Sequence, residues 1–161
     1  MDFMNLFLSP KGRIGQTPYW VGNVILIVGS WIIGWVLAMA LPTVPIVGSV
    51  ISLVLLYFGY CVMAKRFQDF GKPGTLAAVP FGILALLAIW GAIATLGLVG
   101  AAATGSPEAL TTGAMAGLAG LGLFGIVGFI VWLVFLIWAG VMKGDPATNA
   151  YGPPSGGTAT A

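Results

Sequence analysis

Residues 19–41 read YWVGNVILIVGSWIIGWVLAMAL, 23 positions without a charged side chain. An α-helix rises about 1.5 Å per residue, so about 20 apolar residues cross a hydrocarbon core of roughly 30 Å. Thr17 suits the N-cap of such a helix, and Pro18 its first position, where a missing N–H is no loss. Tyr19 and Trp20 then stand at the entrance, where amphipathic rings prefer the membrane–water interface. The run is too long for the apolar part of a signal peptide and has no small-residue cleavage pattern, so it reads as a retained span.

The pattern recurs along the chain. After an uncharged turn over residues 41–45, a second span is expected over 46–64, ending at Lys65 and Arg66. A third covers 76–99, with Pro80 tolerated in its first turns. Ser106, Pro107 and Glu108 form a helix start: a cap, a proline at the first position, and a carboxylate at the positive end of the dipole. The apolar stretch 113–142 is longer than one crossing needs. The crossing itself is expected over 121–142, with the Gly/Ala-rich beginning tilted or projecting. Upstream of the first span, Phe3, Met4 and Phe7 share one side of a helical turn. They suit a segment lying among the headgroups, or a frayed terminus.

Composition agrees. Of 161 residues, 59% are hydrophobic and 6% charged, against about 25% charged in soluble domains; the mean hydropathy is +1.06. So few charges cannot cover a soluble surface. Four spans bring the amino terminus, the 65–74 loop and the carboxyl tail to one side. All six basic residues (Lys11, Arg13, Lys65, Arg66, Lys72, Lys143) lie there, with Asp2, Asp69 and Asp145, while Glu108 lies opposite. The excess of Lys and Arg makes that side cytoplasmic. The expected fold is an all-α membrane protein, a four-helix transmembrane bundle over residues 1–154. Both termini lie inside, a polar cytoplasmic cap closes that end, and a disordered tail covers 155–161.

Small residues let helices approach in lipid. Gly113, Gly117, Gly120 and Gly128 share a sector of the last span, and Ser30 and Gly34 repeat the spacing in the first. They serve packing within the bundle, a dimer interface or a ligand groove. Trp20 belongs to the interface. Trp31, Trp35, Trp90 and Trp132 lie deeper, with Trp138 nearer the cytoplasmic end; the deep ones are expected to fill space between helices, or else to line a lipid or quinone pocket.

Reactive chemistry is sparse. No ionisable residue lies within a span, whereas proton and ion pathways usually need one. Asn23 is expected to hydrogen-bond to a neighbouring helix. With Cys61 the one cysteine and no histidine, there is no recognisable metal-ligand set and no Ser–His or Cys–His pair. Asp69 and Asp145 are flanked by basic residues that favour their ionised, paired forms. Cys61 reads as a small buried hydrophobe. The expectation is a protein that is no enzyme and carries no cofactor.

The charged residues fall in three segments that the topology brings together: KGRIGQTPYW (11–20), KRFQDFGKPG (65–74) and KGDPATNAYGP (143–153). Asp69 can reach Arg66 or Lys65 within a turn, or Arg13 across the bundle, and Asn149 and Tyr151 can bond to loop backbone. The candidate contact residues are Arg13, Tyr19, Trp20, Lys65, Arg66, Asp69, Lys72, Asn149 and Tyr151. They form a site for anionic lipid headgroups or a partner protein, or a set of helix ends pinned by ion pairs.

These segments resemble the YhaH-like family of small bacterial inner-membrane proteins, domain of unknown function 805. The resemblance rests on Gly12-Arg13 followed by Tyr19-Trp20; on Lys65, Arg66, Asp69, Gly71, Lys72 and Gly74; and on Gly144, Asn149, Tyr151, Gly152 and Pro153. It brackets the chain to about residue 154. Gln16 stands where the family commonly has Arg, Lys65 replaces an Arg, and Gln68 stands where a His is usual. The resemblance implies fold and location, the bacterial inner membrane, and no activity. Two functions are therefore expected. One is an accessory or interaction component acting through the cytoplasmic face, with membrane lipids, a membrane protein or a second copy as partner and no nucleic acid. The other is a small oligomeric transporter or channel.

Overall fold

The computed structural model describes residues 3–40 and 45–155. It is helical: α1 (Phe3–Leu8), α2 (Gln16–Ala40), α3 (Pro45–Asp69), a short 3-10 turn (Gly74–Ala77), α4 (Ala78–Thr104) and α5 (Pro107–Val141). The last four helices, α4 with the 3-10 turn leading into it, are each long and apolar enough to cross a membrane.

Two helix ends differ from expectation. First, α2 begins at Gln16, and the Tyr19 amide donates to the Gly15 carbonyl at 3.2 Å. Pro18 thus sits inside the first turn, where a helix makes no use of its amide hydrogens. The turn at 41–44 lies outside the described residues. Second, α3 does not stop at Lys65 but carries Lys65, Arg66 and Asp69 in its last turns. Charge ends a span without ending a helix. What ends this one is Gly71, whose φ of +74° opens the left-handed region. The Lys72 amide reaches back to the Phe67 carbonyl at 2.9 Å, and the Gly71 amide to Gln68 at 3.3 Å, closing the Schellman pattern.

The last helix, α5, is one uninterrupted helix of 35 residues, about 52 Å long. It starts as expected: the Ser106 hydroxyl accepts from the Ala109 amide at 3.3 Å, ahead of Pro107 and Glu108. Three of its glycines lie against α4. Gly113 faces Leu98, Gly117 faces Ala94, and Gly128 faces Leu87 and Ile83. Each step along α5 is matched by a step back along α4, the signature of an antiparallel pair. These three glycines serve packing within the bundle; the surroundings of Gly120 lie outside the described residues. Gly34 meets no neighbour within 4 Å.

Burial is lopsided. Every residue from 61 to 69 is buried, all round the end of α3, and Leu6, Tyr19, Ala77, Phe81, Leu136 and Ala139 pack into the same cluster. Phe67 is its aromatic centre, edge-on to Phe135, Phe70 and Trp138 with ring centroids 5.1–6.0 Å apart. Trp31 and Trp35, expected between helices, instead face outward, 79% and 68% exposed. Lipid accommodates an apolar ring as readily as another helix does, so nothing drives them inward. Asn23 likewise donates to the Tyr19 carbonyl of its own helix at 2.9 Å, not to a neighbour.

Between α2 and α5 the Trp20 ring lies flush on Gly140; a Cβ there would enter the ring's van der Waals envelope. Gly140→Ala should therefore destabilise the protein by about 1–3 kcal/mol through overpacking. Gly34→Ala, in open space, should be near neutral. Unfolding midpoints of the two variants in detergent test this, and equal midpoints would refute the close approach.

Candidate functional site

A charged side chain is stable inside a protein only when paired and hydrogen-bonded. The buried end of α3 carries Lys65, Arg66, Gln68 and Asp69, so the surrounding chain must supply partners. It does so from three sides.

Asp69, 1% exposed, is the hub. One carboxylate oxygen accepts from Arg13 Nε at 3.1 Å and from the Ser155 hydroxyl at 2.6 Å; the other accepts from Arg66 Nη1. Its backbone carbonyl takes Arg13 Nη2 at 3.0 Å and the Asp145 amide at 2.8 Å. Gly144 lies so close to the carboxylate that no Cβ fits there. Arg13 also reaches the carbonyls of Ala147, Gly152 and Asp145 at 2.8, 3.0 and 2.6 Å. A single guanidinium thereby ties the segment after α1, the end of α3 and the carboxyl tail together. Its planar fork of five donors is what makes this possible; an ammonium has three.

Arg66 works on the opposite side. Nε donates to the Ala139 carbonyl at 2.9 Å, Nη1 to Ile14 at 3.2 Å, and Nη2 to Met142, and the guanidinium stands 5.8 Å over the Phe70 ring. Gln16 Nε2 donates to the carbonyls of Gly140, Val141 and Met142 at 3.1–3.2 Å. These are the final carbonyls of α5, which its own last turn leaves without a basic residue. The negative end of the α5 dipole is therefore capped by α2 and α3. That dipole also answers an electrostatic imbalance, since two buried guanidiniums face a single buried carboxylate.

Gln68 bridges a second seam. It accepts from the Gly12 amide at 3.0 Å and donates to the Pro10 carbonyl at 2.9 Å. Asn149 donates to the Gln68 carbonyl at 3.0 Å and to Asp145 at 3.2 Å, and accepts from the Tyr151 amide at 2.9 Å. The Tyr19 hydroxyl donates to the Leu136 carbonyl at 3.0 Å, and Lys65 donates to the Asn5 carbonyl, attaching α1.

The structure thus brings Arg13, Arg66, Asp69 and Asn149 into one network, with Tyr19 and Lys65 bonded beside it and Trp20 on its edge. The side chains of Lys72 and Tyr151 stand at the exposed rim. Three members escaped the sequence reading. Gln16 and Gln68 look like losses beside a family pattern of Arg and His, yet each is a bonded bridge. Ser155 sits where the tail was expected to be disordered, and a serine among Gly, Ser and Thr carries no signal. Among the described residues no three Asp, Glu, Cys or His side chains gather as a metal site would need.

The family model described as "Protein of unknown function (DUF805)" matches residues 7–153. No curated protein and no solved structure matches the chain.

Two variants probe the network. Asp69→Asn leaves two buried guanidiniums without their counter-charge and should lower stability by about 3–5 kcal/mol. Gln16→Ala should lower it by about 1 kcal/mol, the net worth of a hydrogen bond. Chemical unfolding in detergent measures both; similar losses for the two would refute Asp69 as the hub.

Proposed function

The chain belongs to the DUF805 family of proteins of unknown function, and we propose that it is a non-enzymatic accessory component of the membrane, acting through its polar end. That end faces the cytoplasm of the bacterial inner membrane in this reading, with both termini inside, as the one-sided placement of the six basic residues supports.

The observation that carries the reading is the division between buried and exposed charge. Both ion pairs among the described residues are made by Asp69, so Arg13 and Arg66 serve the scaffold. Lys11, Lys72 and Lys143 stand exposed around it. Each basic residue near an anionic membrane surface adds about 1 kcal/mol of attraction. Four spans already anchor the chain, so this attraction selects neighbours: anionic lipids, or acidic segments of a partner protein. The spans offer little else. Ser30, Ser52 and Thr95 each donate to a carbonyl of their own helix.

A second reading, passage of an apolar or weakly polar solute, draws on a cleft of about 340 Å³ lined by Asn23, Ser30, Ser52 and Trp132 among apolar side chains. Reconstituted vesicles decide it: flux at the empty-vesicle background removes it.

Reversing the exposed charges (Lys11→Glu, Lys72→Glu and Lys143→Glu together) should strip co-purifying anionic lipid or partner protein in mild detergent. The unfolding midpoint should hardly move, since exposed substitutions usually change stability by less than about 0.5 kcal/mol. Wild-type protein that recovers neither lipid nor partner would overturn the reading.

A further inference from the structure

The polar end contains a cleft of about 640 Å³ between α1, the first turn of α2 and the end of α3. Lys11, Arg13 and Lys65 line it, with Gln16, Thr17 and Leu6, and among the described residues no carboxylate does. The cations differ in role. Arg13 has all three nitrogens bonded within the protein, and Lys65 is buried with its ammonium on the Asn5 carbonyl. Arg13 is paired with Asp69, and both side chains are held in place by the scaffold. Lys11 is exposed and is the group able to close on a ligand.

The wall formed by α1 says which anion. Leu6 packs on Gly22, about 9 Å along α2 from its start. Phe7 meets Phe58 at 6.1 Å, and the Tyr57 hydroxyl donates to the Leu8 carbonyl at 3.2 Å. Tyr57 is 12 residues before Asp69 in α3, about 18 Å away along the helix. The short helix therefore lies against the apolar flank of the spans. Its own Phe3, Met4 and Leu8 are 52%, 71% and 48% exposed. A cleft with an exposed lysine at its rim and an outward apolar fin are thus joined in one wall. A free anion would use only the first; a phospholipid uses both.

We infer that this cleft binds the phosphate of an anionic glycerophospholipid, with Lys11 closing on it from the rim and the acyl chains lying along α1. The inference deepens the proposed reading and rests on it, narrowing a general attraction to one built site.

Native mass spectrometry of the full chain in mild detergent tests this, with phosphatidylglycerol and phosphatidylcholine titrated in parallel. The expected result is a preference for phosphatidylglycerol that Lys11→Glu weakens by about fivefold or more, one basic residue being worth about 1 kcal/mol. Lys143→Glu, equally exposed but outside the cleft, should leave it within about twofold. An unchanged unfolding midpoint for Lys11→Glu shows that the fold is intact. Equal losses from the two variants would overturn the cleft while leaving the wider attraction standing; no preference in wild type would overturn both. Inorganic phosphate or glycerol 3-phosphate should not displace the lipid at millimolar concentration. Displacement would mean a site for a soluble anion and would overturn the lipid assignment.

Discussion

A carboxylate taken out of water must be repaid in charge and hydrogen bonds by what surrounds it, and in this protein Asp69 sets that requirement for the whole polar end. Arg13 and Arg66 answer it from either side, and their remaining donors fix everything else. Through Arg66 the requirement reaches the end of α5, and through Arg13 it reaches the carboxyl tail. Helix packing in lipid has no hydrophobic effect to drive it, so a buried ionic hub is an effective means of fixing one arrangement of the helices.

The spans are legible in the sequence because lipid imposes a single demand, length without charge, and residues 19–41 meet it openly. The helix ends are less so. A helix stops for backbone reasons, such as the left-handed Gly71, whereas a span stops for reasons of solvation, and at Lys65 the two separate by several residues. Side-chain direction inside lipid is poorly legible too. Trp31 and Trp35 satisfy the membrane in either orientation, so composition cannot say whether they face in or out.

In the candidate site, the charged members are visible as residues that have no business near a bilayer unless paired. Topology alone gathers Arg13, Arg66 and Asp69. The uncharged bridges are not visible, because Gln16 and Gln68 do their work through carbonyls that no sequence displays. Nor does the sequence show the division of labour among the cations. Which guanidinium is enclosed and which ammonium is free to meet solvent follows from where α3 is surrounded and where its neighbours end.

The hub closes with groups far apart in the order of synthesis. Arg13 emerges first, Arg66 and Asp69 midway, and the carbonyls of Ala147 and Gly152 and the hydroxyl of Ser155 last. All the helices can therefore be inserted while Arg13 still lacks three of its acceptors and Asp69 two of its donors. Assembly is completed by a few residues that span nothing, act like a clasp, and leave any chain broken off before them with its most polar groups open to proteolytic surveillance.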